Sequence, residues 1–166
     1  MSALHVLGQT PDVLRSLLAA ASEEDLTWQP APDRWSITMV LAHLHDVEGA
    51  GFRSRFQAML ESDKPFLPSY DQLALFRNGA SFDALAELSA FERERRITLG
   101  MLQRLPPEAA GRTGQHQDLG EISVGELLNE FAFHDLGHVR QVAEVYRSHA
   151  FFPRMGGFRS YYQIHP

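Results

Sequence analysis

Ser123-Val-Gly-Glu-Leu-Leu-Asn-Glu-Phe-Ala-Phe-His134-Asp-Leu-Gly-His138-Val-Arg-Gln-Val-Ala-Glu-Val-Tyr-Arg147 reads as one long helix. Ser123 suits the N-cap, where a hydroxyl accepts from an amide of the first turn. Apolar residues follow at Leu128, Phe131, Phe133, Leu136, Val139, Val142 and Val145. They flank the two histidines so closely that little of the helix is expected to be exposed. A polar line crosses this surface, with Glu126, Glu130, His134, His138 and Gln141 spaced at four and three residues. Imidazoles four apart on a helix have Cβ atoms about 5–6 Å apart, so His134 and His138 can reach a single ion. Buried histidines need partners, and an ion satisfies both while leaving their outer nitrogens for supporting hydrogen bonds. Glu130 and Gln141, each about a turn from one of the histidines, are the candidates for that support.

Three further helices are expected upstream. Thr10-Pro11 suits a helix start, with Val13, Leu14, Leu17 and Leu18 forming the first apolar face and residues 1–8 an earlier turn or an arm. Residues 24–33, with Pro30 and Pro32, should form a connecting loop. Ser36 caps a second helix to about Leu60, closed by Pro65 and Pro68, and residues 70–79 leave room for a short helix. Ser81 caps a third helix to about Leu105, carrying Leu85, Leu88, Phe91, Ile97, Leu99 and Leu102, and Pro106-Pro107 stop it. The glycine-rich stretch 109–121 is the place for a small hairpin. Four amphipathic helices with proline-bearing connections predict an all-α fold, a four-helix bundle formed by a single domain over 1–166. The aromatic-rich tail, with Phe151, Phe152, Phe158, Tyr161 and Tyr162, is expected to pack back on the bundle or on a partner subunit.

The second helix supplies a third imidazole. In Trp35-Ser-Ile-Thr-Met-Val-Leu-Ala-His43-Leu, His43 shares a face with Met39, Val40 and Val47, the inward set. His45 points roughly the opposite way, beside Asp46 and Glu48, and is expected at the surface. Asp46 lies three residues beyond His43, where it could orient that ring or reach an ion. His43, His134 and His138 are therefore expected to meet across two helices and bind one divalent metal. The chain has no cysteine. The ion would be held by nitrogen and oxygen donors alone, which leaves Zn, Ni, Fe, Mn or Co open. His5, His116, His149 and His165 fall in termini or loops and are expected to have no chemical role.

Composition narrows the function classes. With 44% hydrophobic and 22% charged residues, the 166-residue chain can bury a real core without staples. A net charge of −6 and no cluster of Lys or Arg argue against nucleic acid as a partner. No leader pattern and no apolar run of about 18 residues is present, so a soluble cytoplasmic protein with no membrane partner is expected. Two familiar metal motifs do not fit. His134-Asp-Leu-Gly-His138 departs from the zinc-protease pattern His-Glu-x-x-His because Asp is one methylene too short to hold the water-activating carboxylate near the ion. No histidine has a glutamate three residues before it, as a di-iron bundle requires.

Together, Trp35-Ser36-Ile37, Val40-Leu41-Ala42-His43-Leu44, His134-Asp135 and His138-Val139-Arg140-Gln141 resemble the DinB-like (YfiT-type) superfamily. The resemblance covers most of the chain, including the helix order and the Asp25-Leu26 lead-in to the tryptophan. It implies a four-helix bundle, often a homodimer, with one divalent ion held by three histidines, which fall on His43, His134 and His138. Gly137 stands where relatives frequently carry a further histidine, which is not the expected ligand. Several relatives are thiol-dependent transferases or isomerases, which implies bacillithiol or mycothiol as a cosubstrate. The expected function is a metal-dependent enzyme that activates a low-molecular-weight thiol, or water, for transfer to an electrophilic small molecule. The alternative is a non-catalytic, stress-associated metal- or ligand-binding bundle.

Overall fold

The computed structural model describes residues 2–77 and 79–165. Its helices are α1 (Ala3–Leu18), α2 (Glu23–Thr27), α3 (Ile37–Val47), α4 (Ser54–Glu61), α5 (Ala84–Leu102) and α6 (Val124–Ala150). A π-helical segment, Glu48–Arg53, joins α3 to α4, so the second long helix of the bundle is continuous but locally underwound. Gly51 is required there, since a Cβ would lie 2.5 Å from Val47 Cγ2. The helix α1 packs on α5 and α6, and α3 packs on the same two. The first two long helices therefore sit diagonally, and the expected four-helix bundle is present.

Several boundaries differ from expectation, each for a local reason. Ser2, not Thr10, caps α1, and Pro11 lies inside the helix. Proline lacks the amide that would bond the Leu7 carbonyl. That carbonyl is instead taken by Arg95 Nη1 at 2.8 Å, so tertiary structure supplies the missing donor. Within the stretch expected to be loop, Ser22 and Asp25 form a reciprocal capping box that holds the short α2. Asp83 rather than Ser81 caps α5, accepting from the Ala86 amide at 2.7 Å. The hairpin forms as β2 (Thr113–His116) and β3 (Gly120–Ser123), paired antiparallel from Thr113↔Ser123 to His116↔Gly120. A short strand the sequence did not suggest, β1 (Phe66–Leu67), runs parallel to β2. Gly114 lets this sheet close on the bundle, because a Cβ would come within 2.8 Å of Leu67 Cδ1.

Surface and core also depart from the simple periodic reading. Leu85 and Ile97 of α5 are exposed, as are Phe133 (80%) and Leu136 (54%) of α6, so α6 does show solvent a broad face. The tail does turn back along α6, with the His165 amide donating to Glu144 Oε1 at 3.0 Å. Its rings stay outside: Phe151, Phe158, Tyr161 and Tyr162 are all exposed. Two 3₁₀ turns, Phe152–Arg154, which contains Pro153, and Gly156–Tyr161, end the chain's regular structure, and of these rings Phe151 packs edge-on against Tyr146 of α6 (centroids 5.6 Å).

The core has two apolar clusters, one around Leu14, Leu41, Leu88 and Phe91, the other around Leu7, Phe52, Phe56 and Phe131. A buried ion network separates them. Arg95 donates from Nε to Glu48 at 2.9 Å, and from Nη1 and Nη2 to the two Asp135 oxygens at 2.6 and 3.0 Å. Its guanidinium lies between the Phe91 and Phe131 rings, 4.7 and 4.6 Å from their centroids. Glu48, assigned to the polar surface from its neighbours in sequence, is thus fully buried, and burial raises its pKa against the pull of Arg95. Replacing Arg95 with Met strands two buried carboxylates and is expected to cost about 3–5 kcal/mol, seen as a lower urea midpoint. Replacing all three network residues with apolar ones of similar volume should recover most of that loss.

Candidate metal centre

Three imidazoles converge where α3 meets α6. Ser36 accepts from the Met39 amide at 3.2 Å and fixes the start of α3, which turns His43 into the bundle, where it is 2% exposed. Ser123 and Glu126 form the capping box of α6, and the helix then delivers His134 and His138 to the same point. His134 Nε2 lies 3.2 Å from His43 Nε2 and 3.2 Å from His138 Nε2. Ligand nitrogens from all three residues fall within 4.8 Å of one another.

Hydrogen bonding among the rings cannot account for this convergence. The His138 Nδ1–H donates to Gln141 Oε1 at 2.9 Å, which leaves a lone pair at His138 Nε2 facing the other two rings. A single Nε2–H forms one straight hydrogen bond, so hydrogen bonding satisfies only one of the two contacts. Two imidazoles on one ion with metal–nitrogen bonds of about 2.1 Å would sit about 3.0–3.4 Å apart, from right-angled to tetrahedral geometry. Both separations at His134 fall inside that interval, and all three ligand nitrogens lie within 4.8 Å of one another, a donor set of the right kind to gather on a single ion.

The electrostatics favour the ligating form. Burial lowers the pKa of His43 to about 3, with a contribution from His138. Burial likewise lowers His134 to about 3, reinforced by His138, His43 and Arg95. His138 is also lowered by burial, partly offset by its bond to Gln141 and by Asp135. All three rings are therefore neutral near neutral pH. Aromatic side chains enclose them: Trp35 is near-parallel to His138 (centroids 6.3 Å) and tilted over His43 (5.0 Å), and the Phe52 ring lies edge-on to His134 (5.2 Å). Tyr70 approaches His43 at 6.0 Å and donates its hydroxyl proton to Asp46. Asp46 is thus engaged by Tyr70 and makes no bond to His43.

Other expected roles resolve differently. Gln141 Oε1 accepts from His138 Nδ1–H. Glu130 does not support His134, whose Nδ1 has no partner among the described residues, as is also true of His43 Nδ1. Glu130 instead lines an open cleft of about 680 Å³ whose wall includes Trp35, His134, Gly137 and His138. A Cβ at Gly137 would meet nothing within 4 Å, so its absence widens the cleft rather than relieving a contact. His45 leaves the site and pairs with Glu87 of α5 at 2.7 Å. His149 has a structural task, binding Asp25 at 2.9 Å and stacking on Trp28, which ties α2 to α6. Phe52 and Tyr70 carried no signal in the sequence. Trp35 was marked only by its motif.

A helical bundle with three neutral imidazoles meeting at the wall of an open cleft defines the class of protein. The family model of the DinB superfamily matches residues 7–142, and the chain belongs to that superfamily. A protein of Oceanobacillus iheyensis named "Putative metal-dependent hydrolase" is 22% identical over 145 residues, covering 86% of this chain and 83% of its own. Among solved structures, YfiT from Bacillus subtilis superposes with a TM-score of 0.79 at 20% identity, covering 88% of this chain and 85% of that one. It is described as "a probable metal-dependent hydrolase with an unusual four-helix bundle topology". At that identity the likeness establishes the shared fold.

The depressed histidines give the metal-free protein an acid dependence with a definite sign. Below about pH 6.5 the unfolded chain binds protons at these rings that the folded chain refuses until near pH 3. Their contribution is complete above that upper value and is lost as pH falls through the window. Chemical denaturation is expected to show stability falling from pH 6.5 towards 4, with a shallower slope in His43→Leu.

Proposed function

We propose that this chain is a metal-dependent enzyme in which His43, His134 and His138 hold one divalent ion, Zn, Ni, Fe or Mn, through Nε2. The observation that carries this is the 3.2 Å approach of His134 Nε2 to both other Nε2 atoms, which hydrogen bonding leaves half unsatisfied. The names carried by the two relatives support a metal-dependent enzyme. Three protein nitrogens leave a coordination position open, the pattern of a catalytic rather than a structural site. Such an ion, when bound, lowers the pKa of a coordinated water or thiol. The substrate reaction is activation of a low-molecular-weight thiol such as bacillithiol or mycothiol, or of water, for attack on an electrophilic small molecule. A chain without cysteine offers no thiol of its own, so a sulfur nucleophile must come with a cosubstrate.

The protein residues divide the remaining work. Gln141 holds the His138 tautomer that presents the Nε2 lone pair. Trp35, Phe52 and Tyr70 keep the rings in apolar surroundings, which strengthens local electrostatics. Of the two carboxylates lining the cleft, Glu144 is bound to Arg147. Glu130 is left as the group suited to proton transfer, its pKa raised by desolvation in opposition to Arg55.

Elemental analysis of untagged protein is expected to give one equivalent of metal per chain, and His138→Ala none, with helix content retained. His45→Ala should keep the metal. Metal-loaded protein is then expected to consume an activated aryl halide with added thiol, or an activated ester without it. In Glu130→Gln turnover should fall by about 10²-fold or more with the metal retained. A loaded site that turns over neither substrate favours the non-catalytic binding bundle.

A further inference from the structure

The lining of the cleft is unbalanced in its hydrogen-bonding groups. In a chain with 21 acidic and 15 basic residues, this one surface gathers Arg34, Arg140 and Arg147 beside His134 and His138. Glu144 occupies the Arg147 guanidinium, at 2.9 Å to Nη2. Glu130 has Arg55 as its countercharge. Among the described residues, the guanidinium groups of Arg34 and Arg140 have neither an ion pair nor a hydrogen bond, although both line the cleft. Gln141 adds a further free donor: its Oε1 is taken by His138 Nδ1–H, so its amide Nε2 protons have no acceptor among those residues. Two unpaired guanidinium forks and one amide therefore face a space whose own carboxylates are Glu144, engaged by Arg147, and Glu130, which has Arg55 as its countercharge and makes no hydrogen bond to either fork among the described residues. A ligand seated there has to bring the acceptors, and planar forks match an oxyanion in two-point geometry.

We propose that the cleft takes a small molecule bearing an oxyanion, a carboxylate or a phosphate, held by Arg34 and Arg140 while its reacting end lies at the three histidines. This assignment rests on the metal-site reading above. It identifies the substrate or cosubstrate as anionic, and it makes Arg34 and Arg140 the residues that select it over a neutral molecule of the same size.

The test uses metal-loaded protein and three probes of matched length, mercaptohexanoate, mercaptohexyl phosphate and mercaptohexanol, each anchored at the ion by its thiol. The chain is too long for the far group to chelate the same ion. Calorimetry is expected to show at least one anionic probe binding about tenfold tighter than the alcohol, an advantage that shrinks to about twofold in Arg34→Gln/Arg140→Gln. The carboxylate and phosphate arms distinguish the two sources of the oxyanion, and raised salt should weaken the preference in the parent. Equal binding of anionic and neutral probes by loaded parent protein overturns the proposal, as does a preference that survives in the variant. Both arginines are exposed and unpaired, so the variant should fold; if it does not, Arg34→Lys/Arg140→Lys must show an intermediate preference or the proposal fails. Parent protein that takes up no metal overturns the metal-site reading and this one with it. Metal uptake without anion preference overturns this one alone.

Discussion

The ion network of Glu48, Arg95 and Asp135 is the constraint on which the rest of the bundle depends. Arg95 of α5 reaches α1 through the Leu7 carbonyl, the π segment through Glu48 and α6 through Asp135. One side chain therefore sets the relative height of all four long helices. Burying such a network is costly, and its members could be replaced by apolar residues without loss of stability. What an apolar layer would not supply is register. Asp135 directly follows His134 in the chain, and Glu48 lies just over one turn beyond His43. Pinning these two carboxylates to one guanidinium also fixes where the two histidine-bearing helices present their rings.

The site above the network has the opposite character. Its three histidines are neutral, enclosed by Trp35, Phe52 and Tyr70, and their Nε2 atoms face one another. Among the described residues, only Gln141 gives a ring an outer partner. The balance of charge changes again at the cleft, where guanidinium groups collect on the surface of an acidic chain. Moving outward, the protein passes from a compensated buried charge layer, through a neutral ligating layer, to a donor-rich opening. The helix α6 contributes to every layer, through Asp135, then His134 and His138, then Arg140. The π segment belongs to this arrangement, since it carries both Glu48, bound to Arg95, and Phe52, edge-on to His134.

Much of the fold was legible because it is written in short-range chemistry. Ser36 and Ser123 cap the helices that carry the histidines, and their capping bonds are local. The spacing of His134 and His138 needs only helical geometry to bring the rings together. Pro11 shows where local reading fails. Thr10-Pro11 has the form of a helix start, but α1 runs through it because Arg95, 84 residues away, takes the carbonyl that proline leaves unpaired. Glu48 fails for a related reason: a carboxylate beside other polar residues looks solvent-facing until a buried arginine is brought to it. Glu130 was read one turn from His134, but the side chain goes to the cleft and leaves His134 Nδ1 without it.

By itself the sequence determined the all-α class, the four amphipathic helices, and the helical spacing that sets His134, His138 and Gln141 on one line. Each of these follows from periodicity, capping or spacing within about one turn. Tertiary structure decided which polar side chains are buried, where α1 begins, that a strand joins the hairpin, and that the tail aromatics lie outside. It also decided that Tyr70 and Phe52 enclose the histidines and that Arg34 and Arg140 share a cleft with them. These depend on contacts between residues far apart in the chain, whose partners become defined only once the helices have docked.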